Sequence, residues 1–449
     1  MSKDYLLYGR DLIFREVHSA IQLTDRELTS VNQRPAISRI NGRYRCERCG
    51  AAVRTKKPYP CICGGNCLYC SDCLILGKVR ACDTLITLEE PNLFAPVHPA
   101  SLRWIGCLSE EQRNASIEIS RTIHANEERV VWAVTGAGKT EMLFEGVGKA
   151  LDANKRVCIA TPRVDVCLEL APRLRQAFPD TSLAVLYGSA EEKYTYTQLV
   201  IATTHQLLRF KEAFDVLIID EIDAFPFYLN DMLYYAAAKA IKQQSSTIYL
   251  TATPDRLLKK RIKAKKIKAS ILPARYHGHP LPVPSLARLS SHASLKKIDS
   301  NCYQHMQELL NQKKRFLVFI PTIQLMEDVM KKLVILFSQF SFDSVHSKDS
   351  QRKEKVSKMR LGQYDFLVTT TILERGVTLS GIDVIVLMAE HRVYTEAALV
   401  QIAGRAGRSK EYPNGEVTFY CTNLTRGIKG AVREIKEMNR LASRKGLLK

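Results

Sequence analysis

An apolar run, Val130-Val131-Trp132-Ala133-Val134, gives way at Thr135 to Gly136-Ala137-Gly138 and is followed at once by Lys139, Thr140 and Glu141. These residue types in this order suit a cradle for phosphates. The apolar run fits a buried strand, the two glycines permit a tight loop with inward-turned N–H groups, and residues 139 to 149 have helical character. Unpaired N–H groups at a helix N-terminus attract anions, the Lys139 ammonium adds a mobile charge near the outer phosphates, and the Thr140 hydroxyl can ligate Mg²⁺. Ala133 stands where the general pattern G-x-x-x-x-G-K-S/T has its first glycine. A second constellation, Asp220-Glu221-Ile222-Asp223, directly follows the apolar run Phe214 to Ile219. A buried strand there would deliver Asp220 to the metal and Glu221 to the attacking water of a phosphoryl transfer. Thr135, Gly136, Ala137, Gly138, Lys139, Thr140 and Glu141 are therefore candidate ATP contacts, with Lys139, Asp220 and Glu221 the candidate catalytic residues and Thr140 and Asp220 the Mg²⁺ ligands.

Thirteen cysteines supply the other chemistry, eight of them between residues 46 and 82. Cys46-x-x-Cys49 and Cys70-x-x-Cys73 are paired knuckles, and each short loop aims two thiolates at one ion, as a tetrahedral Zn²⁺ site requires. In a reducing compartment such a cluster reads as a metal site rather than a disulfide framework. Cys61, Cys63 and Cys67 lie between the knuckles; they could replace a knuckle member, bind a second ion, or do neither.

The chain must build elements that hold these groups. At 449 residues it is long enough for two or three domains, each with its own core. A formal net charge of +20 favours a polyanionic partner, nucleic acid or an anionic membrane surface. No apolar stretch approaches the roughly eighteen residues a bilayer span needs, and residues 1 to 30 lack a signal-peptide core, so a cytoplasmic protein is expected. The coarse division is an N-terminal arm over 1–40 with a helix near Asp25 to Val31, a zinc module over 41–82, a linker over 83–107, an ATP-binding lobe over 108–284 and a second lobe over 285–449. Within the first lobe, strands are expected at Val130 to Val134, Val157 to Thr161, Leu183 to Tyr187, Leu199 to Thr203, Val216 to Asp220 and Thr247 to Thr251. In the second they are expected at Phe316 to Ile320, Phe366 to Thr370, Val384 to Met388 and Val417 to Cys421. Their alternation with helical stretches predicts parallel sheets covered on both faces, with ligands at the carboxyl ends of the strands. Arg256 to Lys268 carries eight basic residues and no acidic one, and reads equally as a phosphate track or as a solvated helix.

In order, the motifs from about residue 108 to 425 resemble the tandem RecA-like cores of superfamily-two helicases and translocases. The resemblance implies adenine sensing by Gln112 and strand tracking by Thr161-Pro162-Arg163 and by Thr203-Thr204-His205. It implies coupling through Thr251-Ala252-Thr253 and strand contact by the second lobe through Thr369 to Thr378, with Thr370, Thr371 and Arg375 as candidates. Arg405 and Arg408, in Gln401 to Arg408, fall where such motors carry arginine fingers, completing the ATP site when the lobes close.

A narrower resemblance joins the zinc module to the motor. Tyr44-Arg45-Cys46 through Gly50, Leu68-Tyr69-Cys70 through Cys73, Ala133 to Phe144, Cys158 to Val166, Ile219 to Pro226 and Thr370 to Thr378 are similar to the ComFA family of late-competence ATPases, over roughly residues 40 to 445. That implies a motor drawing single-stranded DNA at the inner mouth of an uptake channel, peripheral at the inner face of the membrane, with ComFC, DprA and the channel as partners. A strand-separating helicase of the replication-restart or repair type, and an ATP-gated DNA-binding scaffold, are the alternative readings. Retention of Lys139, Glu221, Arg405 and Arg408 together argues against a pure scaffold.

Overall fold

The computed structural model describes residues 4–21, 31–53, 59–188, 194–289, 301–377 and 379–449. The helix expected from Asp25 to Val31 lies outside these residues except for Val31, as does Thr378. The chain divides into two compact units, Met1–Val131 with Thr140–Ser270 and Trp132–Lys139 with Ile271–Lys449.

One sheet has seven strands: β1 (Glu128–Ala133), β2 (Val157–Thr161), β3 (Leu183–Leu186), β4 (Leu199–Thr203), β5 (Phe214–Ile219), β6 (Ile241–Thr251) and β7 (Lys268–Leu272). Their order is β3-β4-β2-β5-β6-β1-β7. Adjacent strands from β3 to β6 pair in parallel. Every residue of β2, β4 and β5 is buried, as expected of a parallel sheet covered on both faces. The helices are α1 (Glu110–His124), α2 (Lys139–Asp152), α3 (Val164–Ala177), α4 (Asp231–Ala240) and α5 (Arg256–Lys263). A capping box fixes the start of α1: the Ser109 side chain accepts from the Gln112 N–H, and the Gln112 side chain accepts from the Ser109 N–H at 2.8 Å.

The second sheet has six strands: β8 (Ser285–Arg288), β9 (Arg315–Phe319), β10 (Phe342–Val345), β11 (Phe366–Thr369), β12 (Ile382–Leu387) and β13 (Val417–Cys421). They run β8-β13-β12-β9-β11-β10, each neighbouring pair parallel. Buried side chains of α6 (Asn301–Asn311) and α7 (Ile323–Leu336), among them Met306, Leu309, Met326 and Leu333, pack with Phe316, Phe366 and Ile385 of the strands in one core. Three remaining helices, α8 (Arg352–Arg360), α9 (Glu396–Ala403) and α10 (Arg426–Arg444), complete this part. The fold is thus two tandem RecA-like parallel-sheet lobes preceded by a cysteine-bearing module.

Three strands, β7, β8 and β10, were not expected from the apolar runs, and all three are sheet edges. An edge strand is covered less fully, so sequences such as Ser285-Leu286-Ala287-Arg288 need no continuous apolar run. Strand β6 begins at Ile241, ahead of the expected Thr247, through a polar stretch whose register against β5 is broken by an irregularity between Phe214 and Val216.

The N-terminal arm is packed onto the first sheet's surroundings. Leu12–Ile13, Thr84–Thr87 and Asn32–Pro35 form a three-stranded antiparallel sheet with Thr84–Thr87 in the middle. Asp11 donates its N–H to Arg209 O at 2.8 Å, and the Arg10 guanidinium lies 3.8 Å from the Tyr194 ring centre. Glu90, in the stretch expected as a linker, forms an ion pair of 2.5 Å with Arg156, both side chains fully buried. No helix among the described residues is long and apolar enough to cross a membrane.

Candidate nucleotide site, zinc centre and strand-facing loops

The loop after β1 turns because Gly136 and Gly138 adopt φ of +81° and +75°, which any side chain would strain. Ala133 is still part of strand β1 and its φ is not positive, so the fold places no demand for glycine there. Helix α2 starts at Lys139, leaving the loop to face first-turn N–H groups that have no intrahelical acceptor. The Lys139 ammonium donates to Ala133 O at 3.1 Å, which holds it over the loop. Thr135 and Thr140 are nearly buried, while Glu141 is ion-paired to Arg173 rather than free to reach a ligand.

Strand β5 delivers the acidic box. The Asp220 N–H donates to Ala160 O at 2.8 Å on the neighbouring strand β2, and its carboxylate accepts from the Glu221 N–H at 2.8 Å. Glu221 has φ of +55°, a left-handed conformation costing a non-glycine residue on the order of 1–3 kcal/mol. Such strain aims a side chain when the surrounding bonds hold it. Asp223 accepts from the Thr251 hydroxyl at 2.8 Å and from the Thr253 hydroxyl at 2.6 Å, while the Thr253 N–H donates to Thr251 Oγ1 at 3.0 Å. The acidic box and the Thr251–Thr253 segment are thereby one hydrogen-bonded unit. The sequence did not show this, because Asp223 lies in the turn after β5 and its partners lie at and just beyond the end of β6, about thirty residues away. Gln112 is buried with its carboxamide oxygen engaged in the α1 capping box.

Thr161 and Thr203 end adjacent strands and face one another in register. Pro162 and Arg163 follow, with Arg163 at the N-cap of α3, and Thr204 begins a short 3₁₀ helix through Arg209. The Thr161 and Thr204 hydroxyls are buried, and no hydrogen bond is seen for them among the described residues. Burial lowers the His205 imidazole below its ordinary range, which favours its neutral form.

In the second sheet Thr370 and Thr371 follow β11 directly, Thr371 opening a 3₁₀ turn. Arg375 is almost wholly buried beside the Glu374 carboxylate at 3.4 Å. The two expected arginine fingers differ. Arg405 is buried and donates to the carbonyls of Glu374 and Val377, whereas Arg408 is half-buried and donates from Nε to Gly404 O at 3.0 Å. Arg275, which belongs to none of the motifs legible in the sequence, is buried and donates to the carbonyls of Gly404 and Gly407. Burial, and then the nearby Arg408, push its guanidinium down to about 9, so it stays charged at neutral pH.

The paired knuckles converge. Cys46, Cys49, Cys70 and Cys73 are buried, their sulfurs lie within 4.8 Å of one another, and the Cys46–Cys73 and Cys49–Cys70 separations are 3.7 and 3.6 Å. A Zn–S bond of about 2.3 Å gives a tetrahedron with edges of about 3.8 Å, so these donors fit Zn²⁺. Gly50 turns the first knuckle with φ of +74° and an N–H bond to Cys46 O. Burial opposes the charge of the adjacent Arg48 guanidinium, but Cys73, Glu16 and Cys46 together outweigh it and the net shift is upward. The cluster packs on α4, where Lys239 donates to Arg48 O at 2.8 Å and the Tyr235 hydroxyl to Glu47 O at 3.3 Å.

Two parallel sheets, a phosphate loop after β1 and an acidic box after β5 define an ATP-hydrolysing motor of the superfamily-two helicase class. Comparison with known families agrees in chain order: "Competence protein ComFA N-terminal domain" matches residues 2–87, "Type III restriction enzyme, res subunit" residues 106–256, and "Helicase conserved C-terminal domain" residues 301–410. The chain is 40% identical to competence protein ComFA of Bacillus subtilis (strain 168), across 94% of this chain and 89% of that one. It is 36% identical to competence protein ComFA of Streptococcus pneumoniae, across 94% and 96%. The chain belongs to the ComFA family. Among solved structures it resembles helicase Lhr of Mycobacterium smegmatis bound to ssDNA and AMP-PNP, with TM-score 0.54 and 16% identity over 74% of this chain and 50% of that one. Dbp5 of S. cerevisiae bound to RNA and ADP BeF3 gives TM-score 0.52 and 14% identity over 76% and 98%. Both likenesses concern the fold. The protein is accordingly a competence-related, DNA-dependent ATPase of superfamily two, whose chemistry calls for ATP and Mg²⁺.

Proposed function

We propose that the protein is a single-stranded-DNA-stimulated ATPase that translocates along the strand during uptake of transforming DNA. The observation that carries the reading is the Asp223 carboxylate, which accepts from both Thr251 and Thr253 two residues beyond Glu221. A shift in the Thr251–Thr253 segment would move the acidic box with it, so strand engagement and water activation would be felt at one place.

Lys139 and the loop N–H groups would hold the outer phosphates of ATP, and Gln112 would lie toward the adenine. Thr140 and Asp220 would hold Mg²⁺, whose charge offsets that of the phosphates. Glu221 would orient the attacking water and take its proton. Arg408 would supply positive charge to the transferring phosphoryl group, with Arg275 holding the Gly404 and Gly407 carbonyls of its segment and Arg405 tying that segment to Glu374 and Val377. Thr161, Pro162, Arg163, Thr203, Thr204 and His205 would follow the strand from the first lobe, and Thr370, Thr371 and Arg375 from the second. Cys46, Cys49, Cys70 and Cys73 would bind a structural Zn²⁺, and the module they close is the place to dock ComFC, DprA or the uptake channel at the inner face of the membrane.

Steady-state ATP turnover with and without single-stranded DNA tests the reading. Stimulation is expected in the native chain, and its loss in Lys139→Ala. Turnover unaffected by DNA would favour an ATP-gated scaffold, and stimulation only by duplex or forked DNA would favour a strand-separating helicase.

A further inference from the structure

Four further cysteines stand outside the Cys46–Cys73 cluster and come together on its outer side. The hairpin of Tyr59–Pro60 and Asn66–Cys67 pairs Tyr59 with Cys67 and Pro60 with Asn66. Its turn closes through the Cys61 N–H on Gly65 O at 2.9 Å and the Gly64 N–H on Cys61 O at 3.1 Å, Gly64 having φ of +81°. This places Cys61 and Cys67 at the two ends of the turn and Cys63 within it. The fourth thiol arrives from far along the chain, after the ladder in which Tyr69–Cys70 pairs with Val79–Arg80. Ala81 donates its N–H to Leu68 O at 2.9 Å and thereby holds Cys82 against the hairpin.

The sulfurs of Cys61, Cys63, Cys67 and Cys82 all lie within 4.8 Å of one another. The Cys61–Cys82 and Cys63–Cys67 separations are 3.7 and 3.4 Å, close to the edge of about 3.8 Å expected for four thiolates around one Zn²⁺. We propose that Cys61, Cys63, Cys67 and Cys82 form a second zinc site, independent of the paired knuckles and structural in kind. Four protein thiolates close the coordination shell and leave no position for a substrate or an activated water.

The surrounding fold needs such a staple. A hairpin with two-residue strands is marginal in water, and here its turn exposes Ile62 instead of burying it. Its packing includes the edge-to-face pair Tyr59–Tyr69 at 4.9 Å, with the Lys78 ammonium 4.4 and 4.8 Å from the two ring centres. Positive charge also collects at this end of the module. Arg80 has buried Nε and Nη1 atoms that make no hydrogen bond among the described residues. Binding would release up to four thiol protons to solvent and convert four neutral thiols and a dication into a complex of charge −2, a counter-charge for Arg80 and Lys78. The two sites interleave along the chain, because Cys67 serves the outer ion while Cys70 serves the inner one. Filling both would fix the segment from Cys61 to Cys82 at each end.

Elemental analysis and native mass spectrometry of the full chain, purified in reductant without chelator, test the assignment. Two Zn²⁺ per chain are expected, falling to one in Cys61→Ser/Cys63→Ser and to one in Cys46→Ser/Cys49→Ser. Because Cys63 and Cys82 are exposed while the knuckle cysteines are at most 1% exposed, a chromophoric chelator should remove zinc from the native chain in two phases, the outer ion first. That phase needs no variant and should be absent from Cys61→Ser/Cys63→Ser. One zinc per native chain would overturn the proposal, as would two zincs retained in Cys61→Ser/Cys63→Ser. So would a thiol count, after denaturation in EDTA, four below the thirteen cysteines, since the outer four would then be disulfides.

Discussion

Two arginines of the same short segment have different surroundings, and their variants should separate. Arg405 is buried on the carbonyls of Glu374 and Val377, so Arg405→Ala leaves buried acceptors unmet at a cost of about 1–3 kcal/mol. Lower turnover is expected in that variant together with a clear fall in melting temperature. Arg408→Ala should keep its melting temperature and ATP affinity while turnover drops by roughly 10³ or more, as for arginine fingers. Equal melting and turnover losses in both would assign them one structural role. Glu221→Gln should bind ATP and hydrolyse almost none, which nucleotide titration beside a turnover assay would check. The candidates Lys139, Asp220 and Glu221 were legible in the sequence because each sits beside its strand in a short, ordered pattern. Arg275 and the partners of Asp223 were not, because hydrogen bonds between segments far apart in the chain leave no spacing to read. Asp223→Ala should therefore preserve ATP binding but sharply reduce the ratio of DNA-stimulated to basal turnover, since it frees Thr251 and Thr253 from the acidic box. An unchanged ratio would mean that the hydrogen-bonded unit does not couple strand to site.

Apolar runs located the central strands of both sheets, since strands buried on both faces are apolar along most of their length. The edge strands β7, β8 and β10 escaped for the opposite reason, and β7 also lies at the end of a run whose basic residues dominate its pattern. The same limit applied to the N-terminal module. Cysteine spacing predicted the inner thiol cluster, but not that it shares a core with Leu217, Phe227 and Leu233 of the motor. That shared core makes Gly50 a test of docking. A Cβ there would combine the strain of φ +74° with an approach of 2.7 Å to the Tyr235 ring on α4. Gly50→Ala should destabilise by more than the 1–2 kcal/mol that left-handed strain alone costs, read as a lowered melting temperature with zinc content retained. A loss no larger than that strain would mean that the knuckle yields freely against α4. The basic helix α5 has no buried residue, and Arg261 and Lys268 flanking its end are paired with Glu128 and Glu127. That arrangement suits a solvated helix with part of its charge already spent on neighbouring carboxylates.

At the scale of the whole molecule, the net charge of +20 decides how a strand is gripped more than which strand it is. Each phosphate neutralised releases condensed counterions, so affinity for single-stranded DNA should fall steeply with salt, with a log–log slope of about −0.7 per phosphate contacted. The candidate strand-facing groups are five threonines, two arginines, Pro162 and His205, with no Phe, Tyr or Trp among them to form an extended stacking shelf. Contacts of that kind engage the phosphate chain and leave base identity largely unread. Mixed sequences of equal length should therefore bind alike, and single-stranded DNA should bind and stimulate better than duplex, whose paired strands present a different phosphate spacing to the same loops. RNA is the sharper control, because discrimination against it needs a group that senses the 2′-hydroxyl, and none of the candidate residues is placed to do so by its chemistry alone. Comparable binding of single-stranded DNA and RNA is expected. Titrations of matched single-stranded DNA, duplex and RNA at two salt concentrations, each paired with ATP turnover, would check this. Strongest binding and stimulation by duplex would replace translocation on a single strand with duplex unwinding, and a flat salt response would remove phosphate gripping from the mechanism.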